Sequence, residues 1–150
     1  MDLQRLLTPA RVILNLRAAD KRALLQDLAG RIAPSAGLAR EAVLAALLAR
    51  EELGSTGVGR GFALPHARLD RLENFVGLFA RLAAPITFDA IDEQPVDLVF
   101  LLLIPGQAAN EHLAVLAAIS RRMRDPACAR RLRQAASEAE AYDILTAAET

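Results

Sequence analysis

The sequence predicts one domain over residues 1–150 of α/β class, with a sheet of four or five strands covered by helices. Three observations lead there. Stretches with apolar residues at helical spacing alternate along the chain with short, extended apolar ones. One of the latter, "LVFLLLI" from Leu98 to Ile104, is apolar throughout, the pattern of a strand buried on both faces. The 150 residues are 53% apolar, enough for one core and too apolar for a disordered chain, and they contain no repeat or low-complexity linker.

In chain order, "LQRLL" before Thr8-Pro9 reads as one helical turn and "RVILNL" as a strand. Asp20 suits the N-cap of a helix "KRALLQDLAGRIAP", because its carboxylate can accept from an orphan N–H of the first turn. Ala23, Leu24, Leu28 and Ile32 then share a face. A second helix from Arg40 to Leu53 puts Val43, Leu44, Leu47 and Leu48 on one side, with Gly54 as its stop. "FALPH" is extended, since Pro65 pushes Leu64 out of the α region. "NFVGLFARL" is β-like, and "VDLVFLLLI" is the buried strand. A helix from Asn110 to Met123 carries Leu113, Leu116, Ala117 and Ser120 at helical spacing. Asp125-Pro126 reads as N-cap and first residue of a further helix. Ser137 with Glu140 three residues on is a capping box for the last one.

Composition excludes several functions. Eighteen bases cancel eighteen acids, which argues against a domain built mainly on a basic nucleic-acid surface. Arg121, Arg122, Arg124, Arg130, Arg131 and Arg133 cluster late, and a solvated helix face accounts for them. Cys128 is the single cysteine, so no internal disulfide and no Cys/His ligand set can form. The longest apolar run falls well short of the ~20 residues a membrane span needs. "MDLQRLLTPARV" lacks the basic and apolar regions of a secretion signal. The expectation is a cytoplasmic chain with no membrane insertion and no metal or organic cofactor.

The chemistry concentrates in "ELGSTGVGRGFALPHARLD", Glu52 to Asp70. Glycines at 54, 57, 59 and 61 precede Pro65 and His66, and the chain has one other histidine, His112. A neutral imidazole is a nucleophile near pH 7 if it is held in orientation and left open to approach. Glycines allow close backbone approach, their amides can line an anion site, and Ser55 and Thr56 add hydroxyl donors. Together these suggest a phosphoryl or oxyanion group at His66, with the glycine loop folded beside it. Phe62, Leu64 and Leu69 are candidates for an apolar rim around it. Taken singly, each feature is weak. A lone histidine after a strand is more often packed or superficial than catalytic, and the glycines complete neither a P-loop nor GxGxxG.

The whole string is more specific than its parts. "REELGSTGVGRGFALPHA", Arg50 to Ala67, resembles the active-site segment of the fructose/mannitol-type (type 2) IIA domains of the bacterial phosphoenolpyruvate-dependent phosphotransferase system. The carriers are Glu51, Ser55-Thr56, Val58-Gly59 and Ala63-Leu64-Pro65-His66. "FDAIDEQPVDLVFLLLIP" and "NEHLAVLAAISRRMRDP" extend the likeness over nearly the whole chain and look closest to the nitrogen-regulatory branch. Phe62 stands where the family usually has an aliphatic residue, and Ala67 where glycine is commoner.

The resemblance implies a mixed parallel and antiparallel sheet of about five strands flanked by helices. It implies that His66 accepts a phosphoryl group through Nε2 from an HPr-like phosphocarrier, that His112 supports it as a donor, and that Arg50 stabilises the phosphate. Arg50 offers a guanidinium fork suited to phosphate oxygens. Ser55 and Thr56 remain candidates for contact with the phosphate. The standalone format and the nitrogen-branch likeness favour a phosphorylation-dependent switch acting on other cytoplasmic proteins. The alternatives are a sugar-transport component passing phosphate to a separate IIB cysteine, and a non-catalytic interaction module. Cys128, in a predicted helix, reads as a packed residue rather than a phosphoryl carrier.

Overall fold

The computed structural model describes residues 2–147; the two ends of the expected 1–150 domain lie outside them. The described residues form an open six-stranded sheet between two helical layers. The strands are β1 (Val12–Leu16), β2 (Gly57–Gly59), β3 (Phe62–Ala63), β4 (His66–Leu69), β5 (Val76–Ile86) and β6 (Val96–Pro105). The helices are α1 (Lys21–Ala36), α2 (Arg40–Glu52), α3 (Glu111–Arg124), α4 (Pro126–Gln134) and α5 (Glu138–Thr146), and "LQRLL" forms a short 3-10 turn, Leu3–Arg5.

The sheet runs β1-β5-β6-β3-β2, with β4 also on β6. β1 is parallel to β5, β5 antiparallel to β6, and β3 and β4 parallel to β6. The mixed sheet is as the sequence predicts. Of its six strands, four segments are named from sequence; Pro65 divides one of them, "FALPH", into β3 and β4, and the glycine stretch Gly57–Gly59 adds β2. Ala63 pairs with Val99 and His66 with Leu102, so β3 and β4 continue in one register along the same edge of β6. Pro65 has no N–H to give, but its carbonyl still accepts from Leu102 N–H at 3.0 Å.

β6 is the central strand. Its alternate residues Leu98, Phe100, Leu102 and Ile104 meet the core under α3, α4 and α5, while Val99, Leu101 and Leu103 meet the core under α1 and α2. That double burial is why the strand is apolar at every position from Leu98 to Ile104.

The caps follow the sequence. Asp20 accepts from Ala23 N–H at 2.8 Å, Asp125 from Ala127 N–H at 3.1 Å and Ser137 Oγ from Glu140 N–H at 3.1 Å. The return bond of the last box goes to Ala136, whose N–H donates to Glu140 at 2.9 Å. α2 buries Val43 and Leu47, with Leu44 and Leu48 half-buried.

One helix face differs from expectation. α3 buries Val115, Ala118, Ile119 and Met123, and Leu113 is 58% exposed.

The glycines at 57, 59 and 61 also serve a different purpose. Arg60 and Gly61, at φ 58° and 80°, make the two-residue turn joining β2 to β3. A Cβ on Gly61 would sit 2.5 Å from the Arg133 guanidinium, and one on Gly57 would sit 2.9 Å from the Ala90 Cα. These glycines build and seat a hairpin; none of them lines the cavity at His66.

Candidate active site

His66 opens β4 at the sheet edge, where α2 rather than another strand packs alongside. An open cavity of about 420 Å³ is lined by Arg50 and Leu53 from the end of α2, by His66 and Arg68 from β4, by Ile104 from β6 and by His112 from α3. The structure thus brings Arg50, His66 and His112 together.

His66 is half-buried. Its Nδ1 lies 2.8 Å from the Leu64 carbonyl. A carbonyl only accepts, so Nδ1 carries the proton and the lone pair of the neutral ring is on Nε2. Nε2 makes no hydrogen bond among the described residues, and it is not among their buried, unpartnered atoms. It is therefore open to the cavity.

The Leu64 carbonyl is itself fixed through a chain of contacts that begins at Glu51. Glu51 follows Arg50 on α2, so the two side chains diverge by about 100° around the helix. Arg50 reaches the cavity, where its Nη1 donates to the Gly54 carbonyl at 3.0 Å. Glu51 turns inward, its side chain 7% exposed. It accepts from Thr56 N–H at 3.0 Å and from the Thr56 hydroxyl, and pairs with Lys21 Nζ at 2.9 Å. Lys21 also sits 4.5 Å above the Phe88 ring. The Thr56 carbonyl then accepts from Leu64 N–H at 2.9 Å. Ser55 Oγ donates to the Phe88 carbonyl at 2.6 Å and accepts from Gly57 N–H at 3.0 Å. Both hydroxyls of the Ser55-Thr56 pair are engaged in holding the loop, and neither residue lines the cavity.

Burial pushes the His66 pKa below the ordinary 6.5; the Leu64 carbonyl opposes this, Arg50 lowers it, Glu51 raises it and His112 lowers it. The net direction keeps the ring neutral near pH 7, as a nucleophile requires. A depressed folded-state pKa means that the unfolded chain takes up the proton first as pH falls. The associated stability is present above 6.5 and is lost as pH drops through the folded-state value. The His66 Cε1–H resonance is expected to titrate with a midpoint below 6.5; a midpoint above it would contradict the burial argument.

Two contributors were not singled out from sequence. Glu51 appears there only as part of a motif. Arg68 is given no role there, yet its Nη2 lies 3.3 Å from His112 Nδ1. Its one available signal is position: residue 68 shares a strand face with residue 66. Cys128 lies buried in α4, and burial raises its thiol pKa. Of the late arginines, Arg133 pairs bidentately with Asp97 at 2.9 Å, and Arg122 donates to the carbonyls of Ile144 and Ala147 at the end of α5. Arg121, Arg124, Arg130 and Arg131 are exposed. Among the described residues no helix is long and apolar enough to cross a membrane.

Comparison with known proteins agrees with this architecture. Residues 5–148 match the family model "Phosphoenolpyruvate-dependent sugar phosphotransferase system, EIIA 2". The chain is 44% identical over 145 residues to a nitrogen regulatory protein of Bradyrhizobium diazoefficiens, covering 97% of this chain and 95% of that one. It is 42% identical to the nitrogen regulatory protein of Escherichia coli, over 84% of this chain and 78% of the other. The crystal structure of nitrogen regulatory protein IIA-Ntr from Neisseria meningitidis superposes with a TM-score of 0.91 at 34% identity, covering 95% and 97% of the two chains. A chain with this fold, matched along nearly its full length, belongs to the EIIA type-2 family of the phosphoenolpyruvate-dependent phosphotransferase system, within its nitrogen-regulatory branch.

Proposed function

We propose that His66 accepts a phosphoryl group from a phosphorylated HPr-like carrier, and that the chain acts in the cytoplasm as a phosphorylation-dependent switch. The observation that carries this reading is the ring itself: Nδ1–H is tied to Leu64, and Nε2 faces a cavity lined by Arg50 and His112. In the transfer, the Nε2 lone pair forms the N–P bond as the donor's bond to phosphorus breaks, and the donor keeps the bonding pair. Nδ1 retains its proton, and the Leu64 carbonyl stabilises the positive charge the ring acquires. The phosphoryl group brings roughly two negative charges. Arg50 can meet them; opposite unit charges 4 Å apart interact by about 4 kcal/mol at an effective dielectric of 20. Such transfer needs positioning and charge stabilisation more than covalent machinery. Ser55 and Thr56 contribute by holding the loop under His66, since their hydroxyls are already engaged.

Incubation with phosphoenolpyruvate, enzyme I and an HPr-like carrier is expected to add the mass of one phosphoryl group. An unchanged mass would favour an interaction module. Onward transfer to an added IIB protein tests the transport alternative.

The switch reading has its own consequence. Phe62, Leu64 and Leu69 do not line the cavity; its exposed apolar residue is Leu53, 84% exposed. A regulatory partner covering Leu53 and the cavity would have to desolvate the phosphate. His66→Asp is therefore expected to weaken such a partner more than His66→Ala does, by about tenfold for each ~1.4 kcal/mol of repulsion. Calorimetry on the three forms with a captured partner measures this, and equal affinities would remove the charge switch.

A further inference from the structure

We propose that Arg68 is a positioning residue that holds His112 as its Nε2–H tautomer, so that His112 presents a donor to the group carried by His66. The proposal rests on the phosphoryl reading above for its functional consequence, but not for its geometry.

Arg68 lies two residues beyond His66 on β4, so both side chains leave the same face of the strand. Its guanidinium is anchored where β6 gives way to α3. Nη1 donates to the carbonyls of Pro105 at 3.2 Å, Gly106 at 3.2 Å and Ala108 at 2.5 Å. Those carbonyls belong to the turn that delivers α3, and with it His112, to the cavity. With Nη1 fixed on the turn, the planar guanidinium points Nη2 at His112 Nδ1, 3.3 Å away.

A guanidinium has five donor hydrogens and no acceptor. His112 Nδ1 must therefore supply a lone pair, and the hydrogen of the neutral ring is on Nε2. The two histidines then have opposite tautomers for opposite tasks. His66 carries its proton on Nδ1 and offers a lone pair from Nε2; His112 receives at Nδ1 and offers a hydrogen from Nε2. A His112 ring of the other tautomer would turn a lone pair towards an anionic group and repel it. The same guanidinium braces the turn and the ring, so it sets both the location and the protonation pattern of the donor. A lysine could keep the charge here but could not reproduce the planar fork.

The test uses the full chain carrying Arg68→Met, Arg68→Lys, His112→Ala and the Met/Ala double substitution. Nitrogen-15 NMR on wild type is expected to show His112 with bare Nδ1 and protonated Nε2, and on Arg68→Met a mixture of tautomers. Wild type with Nδ1 protonated, or a His112 spectrum unmoved by Arg68→Met, overturns the proposal. With phosphorylated HPr-like carrier as donor, Arg68→Met is expected to slow acceptance about tenfold, a loss of one ~1.4 kcal/mol interaction. Arg68→Lys is expected to slow it nearly as much. In the His112→Ala background, Arg68→Met should slow it no further. A further loss there would mean that Arg68 acts on the phosphoryl group directly by charge, which overturns a role through His112. Arg68 is exposed, so water can replace it at the carbonyls; thermal melting checks this, and Arg68→Lys serves if the Met variant does not fold. If wild type accepts no phosphoryl group, the phosphoryl reading fails while the NMR still decides the clamp.

Discussion

His66→Ala is expected to accept no phosphoryl group from the phosphorylated carrier while keeping its fold. The ring supplies the nitrogen open to the cavity, and the other histidine of the chain, His112, has its Nδ1 taken by Arg68. Substitution removes one hydrogen bond, to the Leu64 carbonyl, at a half-buried position. The cost in stability is therefore about 1 kcal/mol, a few degrees of melting temperature for a domain this size. The paired measurement is radiolabel transfer and thermal melting on the same preparation. In wild type the label should be a phosphoramidate, lost in mild acid and stable in base. Undiminished label on the variant would remove His66 from the chemistry. A base-labile, acid-stable label would transfer the role to Ser55 or Thr56, against the engagement of both hydroxyls in the loop.

What was legible in the sequence divides along a physical line. Local rules held. Asp20, Asp125 and Ser137 cap the helices they precede, because a cap is a contact between near neighbours in sequence. β6 was legible because a strand sandwiched between two helical layers has no polar face. The buried face of α3 was not, since "LAVLAAI" is apolar at every position and gives periodicity no phase. The glycines signalled tight turning correctly, but a positive φ does not say what the turn packs against. Here the answer is Asp97 and Arg133, far along the chain.

The site divides in the same way. The family string located Arg50, His66 and His112, and the structure gathers all three. Arg68 was invisible because its partners lie 37 to 44 residues away. Nothing in the spacing of a lone strand arginine announces contacts of that kind. The two strands beyond the four named from sequence have separate causes: β2 forms within the glycine stretch as half of a hairpin, and the missing N–H of Pro65 interrupts the edge between β3 and β4 without ending its alignment on β6.

Glu51→Ala is expected to have the second large effect, on stability and on acceptance together. The carboxylate is nearly buried and satisfies Thr56 N–H, the Thr56 hydroxyl and Lys21 at once. Removing it leaves three donors facing each other, one of them cationic, and Thr56 is itself buried. Breaking one side of such a buried pair costs about 3 kcal/mol, or roughly 10 °C of melting temperature in a domain of this length. The effect does not stop at stability. Thr56 holds Leu64 N–H through its carbonyl, and Leu64 holds His66 Nδ1. A loosened Thr56 releases the imidazole to rotate and to exchange tautomers, so acceptance should fall more than tenfold even below the melting transition. Glu51→Gln separates the two consequences. Its amide oxygen can still receive from Thr56, but it no longer balances Lys21, so stability should fall while most of the acceptance rate survives. Calorimetric melting and initial label-transfer rates on both variants measure this. If Glu51→Ala melts early but accepts at the wild-type rate, the path from Glu51 to His66 is a scaffold only, and the orientation of the ring must be set by Leu64 and Pro65 alone.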